Sequence, residues 1–352
     1  MRVLLDDNGR YTARAGVARY LDGLLGGFAE LGAPDVDVAP LAWRVENLGW
    51  AQPARMVKTA YRELLWPRLV ARRALRRAGA DLYHSTGPVL VPLPDGVREV
   101  HTLYDVAVVR QPERFRRWHR LSAERLVRRL PGKARIVCIS RFTADEAMAL
   151  TGLPASRFDV VHLGVSLSAA AARPPAYAVP ERFFLFVGSL EPGKNLALLR
   201  EVYALARSRG ERLPPLLVVG ARWEGLPGEG GPPPDWHYLG REPDETLAWL
   251  YQRALALVFP SRYEGFGLPL AEAMSLGCPV LCAPVASLPE VGGEAVSYAP
   301  LEPDRWLAAM HRLADDDAWR ADLAARGLAR APRFTWRRCA EETAAVYRDV
   351  LR

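Results

Sequence analysis

The sequence predicts an α/β protein made of two Rossmann-like domains, with parallel sheets facing across a cleft. Three observations predict it. Short apolar, β-rich runs alternate with longer amphipathic stretches along all 352 residues. The runs are continuously apolar rather than alternating, as strands covered on both faces require. They also fall into two series of six, too many for one compact sheet at this spacing.

The first series of strand candidates covers 3–6, 36–42, 81–84, 99–103, 136–140 and 160–163. The second covers 183–188, 216–220, 236–239, 256–259, 280–282 and 295–298. Helical patterns lie between them at 16–30, 113–129, 196–209, 243–253 and 268–276. A final helix is expected over 335–351, with Trp336, Ala340, Ala344 and Tyr347 on one stripe. The stretch from Ser166 to Ala176 is rich in small residues, lacks amphipathic period and holds a proline pair, so it reads as a linker. The expected division is an N-terminal domain over 1–168, a linker over 169–176, a second domain over 177–330 and a C-terminal helical segment over 331–352. That last segment has the option of crossing back to the first domain. Pro227 and Pro232 to Pro234, with nearby glycines, mark a surface loop.

Composition excludes several classes. No apolar run of 18 residues or more occurs, so no transmembrane helix is expected. Asp6 and Asp7 stand where a signal peptide would be apolar, which argues for a cytoplasmic protein. Cys138, Cys278, Cys282 and Cys339 are too few and too scattered for a disulfide framework, and no metal site is expected. Asp35-Val-Asp37 spells D-x-D but leads into an early strand and reads as chance.

The net charge of +7 comes from 47 Lys/Arg against 40 Asp/Glu. Only three of the 47 are lysines, Lys58, Lys133 and Lys194, a bias that GC-rich codons would produce. Residues 1–170 carry +9 and residues 171–352 carry −2. The excess concentrates at 55–77 and 110–129. These are either solvated helix faces or a surface for an anionic partner: a membrane on its inner face, a lipid phosphate or a nucleic acid. No nucleic-acid motif accompanies them.

Two segments carry chemistry. In Pro260-Ser-Arg-Tyr-Glu-Gly-Phe-Gly-Leu-Pro269 a strand ends and a helix opens near Leu268. Pro269 suits the first turn, and Gly265 and Gly267 let backbone approach a ligand. The amides at such a helix start suit a phosphate. Glu264 and Glu272 flank the site with carboxylates able to accept from hydroxyls, although Glu272 alone would read as an exposed helix residue. In Val187-Gly-Ser-Leu-Glu-Pro-Gly-Lys-Asn195, Lys194 stands at a helix mouth, where the dipole opposes a cation and a bound anion would explain it.

With Tyr238-Leu-Gly240, Ser287-Leu-Pro-Glu-Val291, Ser140-Arg-Phe-Thr143 and His162-Leu-Gly-Val165, these segments resemble the retaining GT-B glycosyltransferases of family 4 (group 1), mannosyltransferases in particular. The resemblance implies Glu264, Lys194 and Asp105 as catalytic residues. It implies Gly16, Ser189, Lys194, Leu239, Glu264, Gly265, Phe266, Gly267, Leu268 and Glu272 as the donor and nucleotide site. Tyr104 would contact the sugar. The implied donor is a nucleoside-diphosphate sugar, GDP-mannose favoured over a UDP-sugar, with no cofactor or metal required. The implied partner is a glycan or lipid-linked acceptor in surface-polysaccharide or glycolipid synthesis. Two departures stand out. Ser189 occupies a common Arg position without a compensating Arg at Gly193, and Tyr104-Asp105 replaces the common His-Asp. Strand alternation would point His101 to the other face from Tyr104. Two other readings stay open: a related GT-B protein with different, epimerase-like chemistry, and a non-catalytic sugar-nucleotide binder, to which the departures at Tyr104 and Ser189 point.

Overall fold

The computed structural model describes residues 1–12, 16–41, 61, 65–87, 89, 91–112, 121, 124, 127–128, 130, 135–221 and 233–352. The expected helix at 113–129, most of the basic stretch at 110–129, the first part of 55–77, Lys58, Lys133, Ala42 and the loop at Pro227 and Pro232 lie outside them. The chain forms two compact units, Met1–Gly164 with Phe334–Arg352, and Val165–Arg333.

Unit 1 holds a six-stranded sheet in the order β2-β1-β3-β4-β5-β6, with every pair parallel. Its strands are β1 (Arg2–Asp6), β2 (Asp37–Leu41), β3 (Leu82–Ser85), β4 (Arg98–Leu103), β5 (Arg135–Cys138) and β6 (Phe158–Val160). The last strand sits earlier than its apolar run. Phe158 pairs with Ile136 and Val160 with Cys138, so the ladder is spent where the expected strand begins. Among the described residues, the helices of seven residues or more in this unit are α1 (Gly16–Leu31), α2 (Arg72–Ala78), α3 (Arg141–Thr151) and α9 (Trp336–Leu351). Ser140 caps α3 by accepting from the Thr143 amide at 3.1 Å.

The C-terminal α9 docks on α1 because glycines clear its path. A Cβ on Gly23 would lie 2.0 Å from the Trp336 ring, and one on Gly27 would lie 2.2 Å from the Trp336 carbonyl. A Cβ on Gly164 would likewise lie 2.3 Å from the Trp336 amide nitrogen. Small residues four apart on one helix face let two backbones approach, and here they seat a buried stripe of Cys339, Ala340, Thr343, Ala344 and Tyr347.

Unit 2 holds a parallel sheet in the order β12-β11-β10-β7-β8-β9. The strands are β7 (Phe184–Val187), β8 (Leu216–Val219), β9 (Trp236–Gly240), β10 (Ala256–Phe259), β11 (Val280–Cys282) and β12 (Ser297–Tyr298). Its described helices of eight residues or more are α4 (Leu196–Ser208), α5 (Asp244–Arg253), α6 (Leu268–Ser275), α7 (Pro303–Asp315) and α8 (Asp317–Arg330). Phe184, Phe186, Val202, Tyr203, Trp306 and Met310 fill the core between sheet and helices. The small-residue segment is docked within this unit: the Arg173 amide donates to Glu245 O at 3.0 Å, on α5.

Strand order locates the functional end. From β7 the chain moves toward β8, and from β10 it moves toward β11, so neighbouring β7 and β10 send their following loops apart. A crevice forms at the carboxyl ends of such strands. The two segments singled out by sequence are the loops after β7 and β10.

Candidate active site

After β7 the chain makes a tight turn. The Glu191 carboxylate accepts from the Gly193 amide at 3.3 Å and starts a short helical turn, Pro192–Lys194. Asn195, at φ 58, redirects the chain into α4; asparagine tolerates this left-handed conformation better than most side chains. Beside the turn, Gly220 at φ 146 lies so close to Gly188 that a Cβ would sit 1.8 Å from the Gly188 carbonyl. Gly267, at φ 89, immediately precedes α6 as its cap residue, and a Cβ there would meet Leu288 at 2.7 Å. Glycine is thus required at both points, for conformation and for space.

The two loops are tied together. The Arg262 amide donates to Gly193 O at 2.9 Å. Lys194 Nζ donates to Glu264 Oε1 at 2.6 Å and lies 5.4 Å from the Phe259 ring centroid. Ser287 Oγ donates to the Glu264 carbonyl at 2.9 Å, fixing the loop from β11's side. The anion expected at the Lys194 helix mouth is therefore supplied by the chain's own Glu264. The two side chains remain 16% and 10% exposed, so the pair is nearly dry yet open at one edge. Burying such a pair adds little to stability.

Glu272 is buried on α6, not exposed. The Tyr251 hydroxyl, from α5, donates to Glu272 Oε2 at 3.2 Å and orients the carboxylate. Gly265 and Phe266 are buried in the turn before α6, and Leu268 is its first residue. The amides of the first turn of a helix have no intrahelical acceptor. Leu239 lies in β9 and Ser189 just past β7, both part-buried. Within unit 2 the structure thus brings Lys194, Glu264 and the α6 start together, with Glu272 on the same helix. Tyr251, Ser287 and the capping role of Glu191 went unforeseen. Tyr251 reads in sequence as one more apolar position of α5, and only the fold sets it beside Glu272.

Gly16, Tyr104 and Asp105 belong to unit 1. Gly16 opens α1 and is exposed, and a Cβ there would meet nothing within 4 Å, so packing inside the unit does not demand glycine. Tyr104 packs edge-on to Tyr20 at 5.4 Å, and burial holds its phenol well above the ordinary range. Thr102 also bonds Tyr20, at 2.9 Å, so residues 102 and 104 share a side and His101 falls on the other, as alternation requires. Asp105 is exposed and accepts from the Ala107 amide at 2.8 Å.

A buried polar chain lies behind Tyr104. His84 Nε2 meets Thr102 Oγ1 at 2.7 Å, and His84 Nδ1 meets the Tyr347 hydroxyl at 2.6 Å, linking β3, β4 and α9. Burial pushes His84 down to about 3 and His101 down to about 4, so both are neutral at ordinary pH. At the end of β1, burial pushes the Asp6 carboxyl up to about 6 despite two bonds from Asn8, at 3.1 and 2.6 Å.

The D-x-D pair serves structure. Asp35 takes a two-point bond from Arg348 at 2.8 and 3.0 Å, and Asp37 lies 3.6 Å from Arg2. All four cysteines are buried and free. Among the described residues no group of three or more His, Cys, Asp or Glu is placed to hold a metal. No described helix is long and apolar enough to cross a membrane.

Comparison with known proteins bears on both units. The family model for glycosyl transferases group 1 matches residues 172–330, and that for glycosyltransferase family 4 matches residues 14–169. The O-antigen chain mannosyltransferase B of Escherichia coli is 37% identical over 82% of this chain and 79% of its own length. Sucrose-phosphate synthase from Thermosynechococcus elongatus superposes with a TM-score of 0.72 at 20% identity, covering 99% of this chain and 98% of that one. Anabaena HepE in complex with UDP-glucose superposes with a TM-score of 0.65 at 18% identity, covering 99% of this chain and 100% of that one. The fold is shared with these solved structures.

Proposed function

The chain belongs to the group 1 glycosyltransferases of family 4, and from that premise we propose that it transfers mannose from GDP-mannose, with retention, to a glycan or lipid-linked acceptor. The observation that carries the reading is the Lys194–Glu264 pair at the strand ends of unit 2.

Breaking a sugar–phosphate bond leaves an oxocarbenium-like carbon and a nucleoside diphosphate. The charge growing on the leaving group is what the site must stabilise. The donor's diphosphate takes the place of the Glu264 carboxylate on Lys194, a compact cation with three donors. Glu264, released, accepts from hydroxyls of the sugar. The amides around Gly265, Phe266, Gly267 and Leu268 hold the distal phosphate at the positive end of α6. Glu272, oriented by Tyr251, accepts from the ribose hydroxyls, and the backbone at Leu239 meets the base. The acceptor attacks from the face the diphosphate leaves, and a diphosphate oxygen takes its proton. This sequence retains configuration and uses no metal. The roles of Gly16 toward the diphosphate, Tyr104 toward the sugar, Ser189 in the donor site and Asp105 in catalysis rest on the family resemblance alone.

Mannose is supported by the likeness to the O-antigen enzyme, and a nucleotide-sugar donor by the likeness to HepE with UDP-glucose bound. The setting proposed is surface-polysaccharide or glycolipid synthesis, at the cytoplasmic face of a membrane. A thermal-shift series with GDP, UDP, ADP and their sugars tests the donor, and GDP with GDP-mannose is expected to stabilise most. Transfer of labelled mannose to a mannosylated lipid-linked acceptor, with the anomer read by NMR, tests the reaction. Donor binding without transfer across a broad acceptor panel would place the chain among non-catalytic sugar-nucleotide binders instead.

A further inference from the structure

The small-residue segment after Val165 runs along α5 in reverse. Ala169 O accepts from Gln252 Nε2 at 3.5 Å, the Arg173 amide donates to Glu245 O at 3.0 Å, and the Tyr177 hydroxyl donates to Glu242 Oε1 at 2.8 Å. The last of these contacts falls two residues past the end of β9. Glu242 is part-buried there and has no cationic partner among the described residues. Asp244 and Glu245 lie in the first turn of α5, where the helix dipole favours acids. Glu242 stands before the cap residue Pro243, and its carboxylate bonds Tyr177 instead of the amides of that turn. Between Glu242 and the Lys194–Glu264 pair the strand ends are bare. β7 and β8 are each followed by glycine, Gly188 and Gly220, and β9 ends in Gly240. The Gly188 amide donates to Val219 O at 3.0 Å and the Gly220 amide to Gly240 O at 2.6 Å, so the three glycines lie side by side. They form a ledge from the β7 loop to Glu242. Two strand spacings, about 10 Å, separate β7 from β9, a distance that an extended nucleoside diphosphate covers.

We propose that Glu242 selects the base of the donor, its carboxylate accepting from the N1–H and the 2-amino group of guanine while Tyr177 holds it in place. This rests on the GDP-sugar donor proposed above and names the residue that makes the site specific for its base. An ionised carboxylate only accepts hydrogen bonds. Guanine presents two adjacent donors on one edge, and matching both gives a two-point, charge-assisted contact. Adenine sets an acceptor nitrogen beside its amino group, and uracil sets its single N3–H between two carbonyls. Either base turns a lone pair toward Glu242, so the same group that attracts guanine repels them. Each carboxylate oxygen has two acceptor positions, so Oε1 keeps its bond from Tyr177 while it serves the base. Desolvation and the Glu242 carboxylate both raise the Tyr177 phenol above its ordinary value, so it stays a donor at neutral pH. Tyr177 touches no substrate in this arrangement and is a positioning residue.

Calorimetric titration of the full chain with four nucleoside diphosphates tests it: GDP, UDP, inosine diphosphate, which lacks the 2-amino group, and xanthosine diphosphate, which has a carbonyl in its place. The wild type is expected to bind GDP most tightly and inosine diphosphate about tenfold more weakly, for the loss of one bond to a charged acceptor. Glu242→Gln is expected to weaken GDP at least about tenfold and to bind xanthosine diphosphate more tightly than GDP. The new amide donates to the 2-carbonyl that the carboxylate repels, while its oxygen still accepts from N1–H. Tyr177→Phe is expected to weaken GDP about threefold and to narrow the ratio of GDP to inosine diphosphate. An equal loss of GDP and xanthosine diphosphate in Glu242→Gln overturns the proposal, because a merely structural carboxylate would behave that way. GDP still preferred by Glu242→Gln also overturns it and leaves the donor reading standing. The wild-type preference for GDP over the other three needs no variant, and its absence overturns the proposal by itself. If none of the four binds, the donor reading falls with it.

Discussion

The two units share a parallel six-stranded sheet but bury their polar residues differently. In unit 2, six of the seven buried polar residues, Glu191, Asn195, Ser261, Glu264, Glu272 and Ser287, lie in or beside the site at the strand ends, and the sheet interior is apolar. In unit 1, Asp6, Asp7, Asn8, Ser85, Thr86 and Ser140 likewise lie at or just past the strand ends, but His84, His101 and Thr102 also sit within the strands themselves, with His84 and Thr102 bonded to Tyr347 and Tyr20 from the helices above. Buried polarity thus has separate uses here. In unit 2 it is gathered at the strand ends, where the proposed donor would bind. In unit 1 part of it runs through the sheet and ties α9 to it.

The largest expected effect is at the gathered site. Lys194→Ala should lower turnover by about a hundred- to a thousandfold, as loss of a leaving-group stabiliser does, with far-UV dichroism unchanged. Steady-state transfer assays check it. Equal turnover would show that the Lys194–Glu264 pair serves structure only.

Next come the glycines that each unit's packing requires. Gly220→Ala forces a Cβ against the Gly188 carbonyl in unit 2, and Gly27→Ala forces one against the Trp336 carbonyl in unit 1. Each should cost about 3 kcal/mol or more. Hydrogen exchange by peptide should show the first loosening β7 and β8, and the second loosening α9 and α1.

Much of the molecule is legible in local strings of residues. Among the described residues each of the twelve strands overlaps an apolar run, and Ala256–Phe259 and Val280–Cys282 coincide with the expected 256–259 and 280–282. Lys194, Glu264 and the glycine turn were readable because backbone conformation and charge constrain a local string. Tyr251 was not, because its bond to Glu272 spans two helices and leaves no local pattern. The glycines under Trp336 were hidden for the same reason. A glycine's purpose lies in what approaches it, and the approaching residue is more than 300 positions away from Gly23 and Gly27. The strand at 160–163 was misplaced because an apolar run continues past the last rung of its ladder.

A third test uses acid. His84 and His101 are held neutral when folded, well below the ordinary value of 6.5, so unfolded chains bind more protons as pH falls below it. Their contribution is complete above about pH 6.5 and is lost on acidification. Asp6, raised to about 6, works in the opposite direction, since the folded state gains its proton first. The balance should cost unit 1 about 2–3 kcal/mol between about pH 7 and pH 5. Unit 2 buries no histidine among its described residues and lacks this source of acid sensitivity. Hydrogen exchange corrected for intrinsic rate should show β3 and β4 losing protection before β7 and β10.

The smallest effect is expected at Tyr251. Tyr251→Phe removes one hydrogen bond to Glu272, worth about 1 kcal/mol, so the Michaelis constant for donor should rise about fivefold with turnover nearly unchanged. A matching loss in turnover would move Glu272 from binding the donor to the chemistry itself.

Calorimetric titration of GDP into the wild type, Lys194→Ala and Glu272→Gln decides whether this site holds the donor. GDP is expected to bind the wild type, and each substitution to weaken it at least about tenfold. Absence of GDP binding, or affinity indifferent to both substitutions, would mean that the site does not hold a GDP-sugar.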